Sequence, residues 1–417
     1  MSAITSLTRM ILTRNLHPFV FHNEYDMILP YEECERLGLY IHIPFCRSIC
    51  SFCPYCKTVY QKDLCNAYID ALLKEIAFFG KQGGGKKQVT SLYFGGGSPA
   101  LAADRLKEIL DNVRTYFDIE EGIGIELHPD DVTVDTLALL AEAGVTRLSI
   151  GIQSFSPRFA HILGRKEADA ETIKAVLDRF AFETVSMDLI FALPGQTADD
   201  LKKDIETAFS HGANHIAVYP LIDFTFTPGA IAPMKNKDKR KLLDELTEYC
   251  RAKGYARQSI WTFAKEQGAC YSSMTRDTFL GFGCSAATLL NHQFKINTFD
   301  VKEYISRLSR GLPATSLTLR FTLRQRMVYY LFWQAYSTRV DERDFEHFFG
   351  KRLKQQFGPE LALAKMLGWI TESDGVYEMT LTGAFKYHYY ENYYTLAYID
   401  KMWGILRKTA FPEKITL

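Results

Sequence analysis

The sequence predicts an α/β protein in which parallel strands alternate with helices, followed by a smaller helical module. Between residues 37 and 220, six short β-rich runs alternate with five amphipathic segments, the order typical of βα units in a parallel sheet. Gly144 and Gly212 lie where a glycine ends a helix before the next strand. From residue 319 onward, helical patterns precede an Asp-Gly hairpin turn.

The predicted elements follow one another with short connections. Strands are expected at residues 39–43, 91–94, 124–127, 147–150, 186–190 and 215–219. Helices are expected at residues 64–79, 103–116, 134–143, 170–182 and 198–211. Because six units are too few for a closed eight-stranded barrel, both an open partial barrel and a doubly wound sheet fit this pattern.

The later part of the chain has a different character. Residues 237–253 predict another helix, and the pattern is then irregular as far as residue 313. Helices are predicted at 320–333, 341–350 and 351–367, and the segments 369–370 and 376–379 flank the turn at Asp374 and Gly375. Three helices and a hairpin predict a winged-helix-like module, and the charge balance and the tyrosine-rich tail favour packing over DNA binding. The predicted divisions are an N-terminal extension at 1–36, an α/β domain with additions at 37–315, and a C-terminal helical domain with its tail at 316–417.

Composition and charge limit the class of protein. The 417 residues carry 49 Lys and Arg against 49 Asp and Glu, whereas a surface that coats nucleic acid shows a basic excess. Hydrophobic residues make up 47% of the chain, yet no apolar run approaches the ~18 residues of a membrane helix. We therefore expect a folded cytoplasmic protein without a membrane span or a nucleic-acid partner.

The cysteines are unevenly distributed. Cys46, Cys50, Cys53 and Cys56 lie within eleven residues, directly after the first predicted strand, where parallel βα folds place their active sites. Thiolates with the spacing C-x3-C-x2-C can hold three irons of a [4Fe–4S] cluster and leave the fourth iron open. The alternatives are a four-cysteine ferredoxin-like cluster and a zinc site, although zinc sites usually separate two C-x2-C pairs by a longer loop. The remaining cysteines read as ordinary structural residues: Cys34, Cys65, Cys250, Cys270 and Cys284.

Several motifs, in this order, resemble the radical S-adenosylmethionine (SAM) enzymes of the oxygen-independent coproporphyrinogen III oxidase (HemN/HemW-like) family. This group includes haem chaperone-like proteins and radical methyltransferases. The motifs are YIHIPFCRSICSFC (40–53), FGGGSP (94–99), the strand with Glu126, GVTRLSIGIQSF (144–155), LGR (163–165), MDLIFALPGQT (187–197) and GFGCSA (281–286). The resemblance implies a radical SAM enzyme, an open partial (β/α)6 barrel of the radical SAM type and a C-terminal winged-helix-like module.

The resemblance also implies roles for particular residues. The three cluster ligands fall on Cys46, Cys50 and Cys53, and SAM would bind the open iron. Contacts to this SAM fall on Tyr40, Gly95, Gly96, Gly97 and Glu126. A second set matches positions that line a second SAM-sized site in the porphyrinogen enzyme: Phe52, Ser98, Gln153, Arg165 and Asp188. The implied cofactors are a [4Fe–4S] cluster and one or two molecules of SAM, with a flavodoxin- or ferredoxin-type protein as electron donor.

Two departures from the family concern the choice of substrate. Cys56 follows Cys53 as C-x2-C, where the porphyrinogen enzyme has C-x-C, and residues 1–36 match neither branch. Cys56 is therefore a candidate catalytic residue and is not expected to be a cluster ligand. Three functions stay open for a small-molecule substrate: a radical enzyme of altered specificity, such as a methyltransferase using two SAM molecules; the decarboxylating coproporphyrinogen III dehydrogenase, an oxidoreductase; or a haem chaperone. Arg165 and Asp188 are expected to converge at neighbouring strand ends.

Overall fold

The computed structural model describes residues 3–227, 231–265 and 277–417, and Cys270 lies outside these ranges. The strands are β1 (Val20–His22), β2 (Gly38–Ile43), β3 (Phe45–Cys46), β4 (Thr58–Val59), β5 (Lys87–Val89), β6 (Leu92–Gly96), β7 (Phe117–Ile119), β8 (Ile123–Leu127), β9 (Arg147–Gln153), β10 (Thr184–Phe191), β11 (His215–Pro220), β12 (Ala256–Arg257), β13 (Thr262–Ala264), β14 (Phe279–Phe282), β15 (Ala287–Leu289), β16 (Gln293–Asn297), β17 (Thr315–Arg320), β18 (Arg339–Asp341), β19 (Ile370–Ser373), β20 (Val376–Met379) and β21 (Lys414–Thr416).

The helices begin close to the chain's amino end and continue into its tail. They are α1 (Ala3–Thr13), α2 (Lys62–Gly80), α3 (Ala103–Tyr116), α4 (Val134–Ala143), α5 (Pro157–Ile162), α6 (Ala170–Leu177), α7 (Ala198–Ser210), α8 (Asn236–Ala252), α9 (Val301–Ser309), α10 (Leu323–Tyr336), α11 (Glu342–Phe349), α12 (Leu353–Met366), α13 (Leu381–Tyr394) and α14 (Asp400–Leu406). A π-helical turn, Thr395–Ile399, joins the last two. Among the described residues, no helix is long and apolar enough to cross a membrane.

Six parallel strands form the centre of the large sheet. They lie side by side in chain order, β2-β6-β8-β9-β10-β11, with helices in the connections. β2 and β11 pair with other strands and not with each other, so the array is open, as predicted. The predicted glycine ends of helices are also present, since Gly144 has φ +88° and Gly212 has φ +101°, conformations that glycine adopts readily.

Two predicted segments need correction. The helix predicted at 170–182 ends at Leu177, because Arg179 and Phe180 donate to carbonyls three residues back and tighten the last turn. The stretch described as irregular contains β14 to β17, which extend the sheet beyond β2. Strand β14 is buried at all four positions and lacks the alternation by which strands are recognised, whereas β17 does alternate, with Leu317 and Leu319 between polar residues, and was overlooked.

The two ends of the chain meet at the far edge of this sheet. β1 pairs antiparallel with β17 and with β21, and α1 contacts α10 and α13. The residues of the N-terminal extension therefore continue the same sheet. The predicted division between residues 315 and 316 falls inside β17, which is hydrogen-bonded to β16.

The C-terminal module combines three helices with a small sheet, as predicted. Strands β18, β20 and β19 form this sheet, and α10, α11 and α12 supply most of a separate buried cluster. Its members are Met327, Tyr330, Phe345, Leu353, Phe357 and Tyr377. At the hairpin turn Asp374 has φ +51° and Gly375 has φ +80°, the left-handed pair of a type I′ turn. The aromatic tail forms α13 and α14, whose buried Met402 and Leu406 pack in the main core.

Candidate active site

The predicted site residues lie at the carboxyl ends of the parallel strands. β2 ends at Ile43, and residues 44–57, here called the cluster loop, carry Cys46, Cys50 and Cys53. All three are free thiols of intermediate exposure. The ammonium group of Lys57 holds the loop from within, because its Nζ donates to the carbonyl oxygens of Cys50 at 3.3 Å and Cys53 at 2.6 Å. The sequence reasoning did not identify this lysine.

The glycine edge, Gly95–Gly97, lies directly against the cluster loop. The Gly97 N–H donates to the carbonyl of Ile43 at 2.9 Å. A Cβ on Gly97 would lie 2.8 Å from the Cys46 Sγ, and a Cβ on Gly96, which has φ +130°, would lie 2.5 Å from the Ile43 carbonyl oxygen. Side chains would therefore fill the space beside the first cysteine, which only glycine leaves free.

Glu126 lies at the same edge, one strand further along. Its carboxylate accepts the Gly96 N–H at 3.0 Å and the Tyr93 hydroxyl at 3.3 Å. Burial raises the pKa of Glu126 to about 7, although the hydrogen bond from Gly96 acts in the opposite direction. A Cβ on Gly95 would lie 2.8 Å from the Tyr40 hydroxyl and 3.2 Å from a carboxylate oxygen of Glu126. The structure thus brings the predicted SAM contacts Tyr40, Gly95 and Glu126 together.

Tyr40 is connected to the cluster loop through His42. The Cys56 carbonyl only accepts, so His42 Nε2 donates to it at 2.9 Å, and His42 Nδ1 accepts from the Tyr40 hydroxyl at 2.9 Å. His42 lies in β2, one residue before this strand ends. The structure shows that His42 holds the Cys56 carbonyl. Because this carbonyl lies fourteen positions further along the chain, the sequence gives no local signal of the contact.

Asp188, in β10, belongs to the second predicted set. Its carboxylate accepts the Ser149 hydroxyl at 2.5 Å and the Ser186 hydroxyl at 3.2 Å. Burial raises the pKa of Asp188 to about 6. Opposite Asp188 the register shifts, since Met187 pairs with Ile150 and Leu189 with Gln153. A bulge of this kind re-aims the side chains beside it.

Arg165 contacts the same bulge from the other side. Its Nη2 donates to the Gly151 carbonyl at 3.3 Å, and its Nε is buried without a hydrogen-bond partner. Gln153, at the end of β9, has φ +71°, a strained backbone conformation that is typical of functional sites. Arg165 and Asp188 therefore lie on either side of the end of β9. Among the described residues, no ion pair joins these two side chains.

Phe52 and Ser98 complete the second set. Phe52 packs against a group of buried apolar side chains that contains Leu163 and Ile190. This contact joins the cluster loop, which carries Phe52, to β10, which carries Ile190. Ser98 donates its hydroxyl hydrogen to Asp131, and the same carboxylate accepts from Arg47 of the cluster loop. The sequence reasoning missed Asp131, which lies four residues after the end of β8, and Arg47, which follows Cys46. Contact of Ser98 with SAM stays a prediction.

Three free thiols on one loop, with open space beside the first, fit an iron–sulfur cluster. Within the described ranges, no group of three or more His, Cys, Asp or Glu side chains is arranged to hold one metal ion. In a [4Fe–4S] cluster each thiolate binds a different iron, so the three sulfurs need not converge on one point. The space that the glycine edge leaves beside Cys46 suits such a group. Burial raises the pKa of Cys46 to about 12, so binding of iron must displace a proton there.

Known proteins are similar to this chain in sequence and in fold. Residues 40–208 match the Radical SAM superfamily. The chain is 29% identical over 364 residues to the heme chaperone HemW of Bacillus subtilis (strain 168), covering 82% of this chain and 95% of the relative. It is 27% identical over 308 residues to an oxygen-independent coproporphyrinogen III oxidase of Pseudomonas aeruginosa, covering 66% of each.

One solved structure covers almost the whole molecule. Coproporphyrinogen III oxidase (HemN) from Escherichia coli, described as a radical SAM enzyme, superposes with a TM-score of 0.75 at 21% identity, covering 91% of this chain and 97% of that one. The likeness shows the fold, and it confirms the predicted open partial barrel with its C-terminal module.

Proposed function

We propose that this chain cleaves SAM reductively and abstracts a hydrogen atom from a small organic substrate. The premise is that the chain belongs to the HemN/HemW-like group of radical SAM proteins. The cofactors of this group are a [4Fe–4S] cluster and SAM. When bound, the cluster supplies the electron that splits SAM into methionine and a 5′-deoxyadenosyl radical. Cys46, Cys50 and Cys53 would hold the cluster in this chain. An electron donor of the flavodoxin or ferredoxin type and a cytoplasmic location complete the proposal.

One observation carries this proposal above the others. The glycine edge lies beside the first cysteine at one end and the Glu126 carboxylate at the other, because a Cβ added to Gly97 would lie 2.8 Å from the Cys46 Sγ and one added to Gly95 would lie 3.2 Å from Glu126 Oε1. A ligand bound along this edge would therefore meet the cluster loop and a carboxylate at once. A carboxylate accepts hydrogen bonds from an ammonium group and from hydroxyls, and SAM carries both.

The individual side chains have definable tasks in this site. Glu126, when ionised, accepts hydrogen bonds from ribose hydroxyls or from an ammonium group. Tyr40 is oriented by its hydrogen bond to His42, which also fixes the Cys56 carbonyl. Lys57 fixes the backbone around Cys50 and Cys53. The cluster loop and the SAM-contact residues are thus held relative to each other by direct hydrogen bonds.

We further propose an altered specificity, such as methyl transfer that uses two SAM molecules. Phe52, Gln153, Arg165 and Asp188 lie around the ends of β9 and β10 beside the cluster loop. Arg165 and Asp188 carry opposite charges but form no ion pair with each other, so each keeps capacity for a zwitterionic amino acid group. These observations support a second small-molecule position.

A haem chaperone is the second candidate function. The observation that favours it is the similarity to the heme chaperone HemW of Bacillus subtilis over 95% of that protein's length. The oxidative decarboxylation of coproporphyrinogen III is a third outcome, favoured by the similarity to the Pseudomonas aeruginosa oxidase.

Product analysis under anaerobic conditions tests the proposal. The reconstituted holoprotein is mixed with a reductant and SAM, with and without candidate substrates, and the products are identified by mass spectrometry. 5′-Deoxyadenosine that depends on the cluster cysteines supports SAM cleavage, and S-adenosylhomocysteine formed beside it supports methyl transfer. Formation of carbon dioxide and vinyl groups from coproporphyrinogen III would show that the reaction is decarboxylation and not methyl transfer. Stoichiometric haem binding without any 5′-deoxyadenosine would overturn the proposal in favour of the chaperone.

A further inference from the structure

Two cysteines outside the proposed cluster ligands lie side by side. The Sγ atoms of Cys56 and Cys284 are 3.8 Å apart, although 228 positions separate them in the chain. Both are free, and both are buried, with exposed fractions of 3% and 0%. Cys56 lies near the end of the cluster loop, and Cys284 lies in the turn between β14 and β15. Because β14 pairs in parallel with β2, the two loops leave neighbouring strands at the same edge of the sheet.

The surroundings hold each cysteine in place. The Cys284 N–H donates to the Tyr68 hydroxyl at 2.8 Å, and its Sγ lies 3.0 Å from the Thr298 carbonyl. The Cys56 Sγ lies 3.2 Å from the Phe299 carbonyl. The carbonyls of two consecutive residues therefore lie beside the two sulfurs, and each sulfur contacts its carbonyl and the other sulfur.

A cation lies close to Cys56. Arg407 of the segment after α14 donates to the Pro54 carbonyl, and its guanidinium lies 5.3 Å from the ring centre of Phe299, the residue whose carbonyl faces the Cys56 sulfur. A nearby cation favours the thiolate, which is the reactive form of cysteine. The hydrogen bond from Cys284 also lowers the pKa of Cys56. Both effects mark Cys56 as the sulfur that reacts first.

We propose that Cys56 and Cys284 are a peroxide-reactive pair that forms a reversible disulfide between the cluster loop and the β14–β15 turn. The Cys56 thiolate attacks one oxygen of hydrogen peroxide, the O–O bond breaks, and Cys56 becomes a sulfenic acid. The hydroxide that leaves takes up the proton that the Cys56 thiol released, and it departs as water. The Cys284 thiol then attacks the sulfenic sulfur, the S–S bond forms, and a second water leaves. Two thiols are oxidised by two electrons in total, and one peroxide is reduced to two waters.

The geometry suits this reaction. A disulfide needs the sulfurs to approach from 3.8 Å to about 2 Å, and among the described residues no other side chain lies between them. A low-molecular-weight dithiol reverses the reaction through thiol–disulfide exchange. The proposal concerns residues outside the cluster-binding set, and it does not depend on SAM cleavage.

Peptide mapping of the holoprotein tests the pair directly. The anaerobic full-length protein is treated with one equivalent of hydrogen peroxide, alkylated under denaturing conditions and digested with trypsin. We expect a disulfide that links the peptides 48–57 and 277–295, with fragment ions that place the bond at Cys56 and Cys284. The linked peptide should disappear after treatment with dithiothreitol. Hydrogen exchange of peptide 48–57 should be slower in the oxidised protein, because the bond restrains the cluster loop.

Matched variants separate this pair from other thiols. Cys56→Ser and Cys284→Ser should each lower the yield of the linked peptide at least tenfold, whereas Cys250→Ser, which changes another buried cysteine, should leave it unchanged. A bond between Cys53 and Cys56 in its place, or full recovery of both cysteines as alkylated thiols, would overturn the proposal. The wild-type map alone decides this point if a serine variant fails to fold. Iron content measured on the same samples shows separately whether the cluster has been lost.

Discussion

The carboxylate of Glu126 accepts a 3.0 Å hydrogen bond from the backbone N–H of Gly96. This bond joins the end of β8 to the glycine edge at the end of β6. The hydrogen bond favours the ionised carboxylate, but burial opposes it more strongly, and the pKa of Glu126 lies at about 7. The residue that we propose as a SAM ligand is therefore only partly ionised at neutral pH.

The first prediction is a pH dependence of SAM binding that originates at Glu126. Below its pKa of about 7 the group is neutral and offers fewer acceptor sites, and above it the carboxylate accepts from hydroxyl or ammonium donors. SAM affinity of the holoprotein should therefore rise from about pH 6 to about pH 8. Glu126→Gln, neutral throughout, should bind about tenfold more weakly at the upper pH and show a flat profile in anaerobic calorimetry.

Stability provides the control for this titration. Because the pKa of Glu126 is raised in the folded state, its ionisation opposes folding, and its effect on stability appears as the pH rises from the ordinary value of 4.5 to about 7. Without SAM, the melting temperature of the wild-type protein should fall relative to that of Glu126→Gln over this window. A parallel course of the two melting curves would show that Glu126 does not titrate there.

The second prediction concerns space at the glycine edge. Alanine at Gly95 would place a Cβ 2.8 Å from the Tyr40 hydroxyl and 3.2 Å from Glu126 Oε1, so both proposed SAM contacts must shift. Gly95→Ala should weaken SAM binding about tenfold while the iron content stays at the wild-type level. Gly85→Ala is the matched control, because a Cβ there meets nothing within 4 Å. Equal SAM dissociation constants for the two variants would remove the glycine edge from the site.

The third prediction separates cluster ligands from their neighbour. The anaerobically purified protein should contain about four irons per chain, and alanine at Cys46, Cys50 or Cys53 should abolish them. Cys56→Ala should keep the iron, because the Cys56 sulfur faces Cys284 and the Phe299 carbonyl. Iron and sulfide analysis with absorption spectroscopy measures this. Iron loss in Cys56→Ala equal to that in the other three variants would contradict the three-ligand assignment.

The central array could be predicted from the sequence because its signals are local. Helices α3 and α4 have the predicted bounds, and all six parallel strands were located. Strand β14 was missed because a short strand buried on both faces lacks alternation, whereas β16 and β17 alternate and were overlooked. Strands β1 and β21 pair with each other from opposite ends of the chain, and no local pattern specifies such a partner.

The candidate site shows the same division. The spacing of the cysteines selected Cys46 and the family resemblance selected the glycine edge, and the structure describes their proximity. The partners of these residues were not predictable, because hydrogen bonds such as those from Ser98 to Asp131 and from Ser149 to Asp188 join different strands. Cys284 was read as an ordinary structural cysteine, and only the pairing of β14 with β2 places it beside Cys56.

The fourth prediction concerns Arg165 and Asp188. Asp188 accepts hydrogen bonds from Ser149 and Ser186, and Arg165 donates to the Gly151 carbonyl. Replacing either residue therefore breaks no ion pair between the two. Arg165→Ala and Asp188→Asn should keep the iron and a melting temperature within a few degrees of wild type, retain slow SAM cleavage, and lose substrate-dependent product at least tenfold. Lys174→Ala, which removes an exposed ion pair with Asp178, should change none of these.

Single-turnover assays that quantify 5′-deoxyadenosine and product separately measure the effect. Parallel loss of iron, melting temperature and both activities would identify a structural role, and unchanged product in both variants would remove the second small-molecule position.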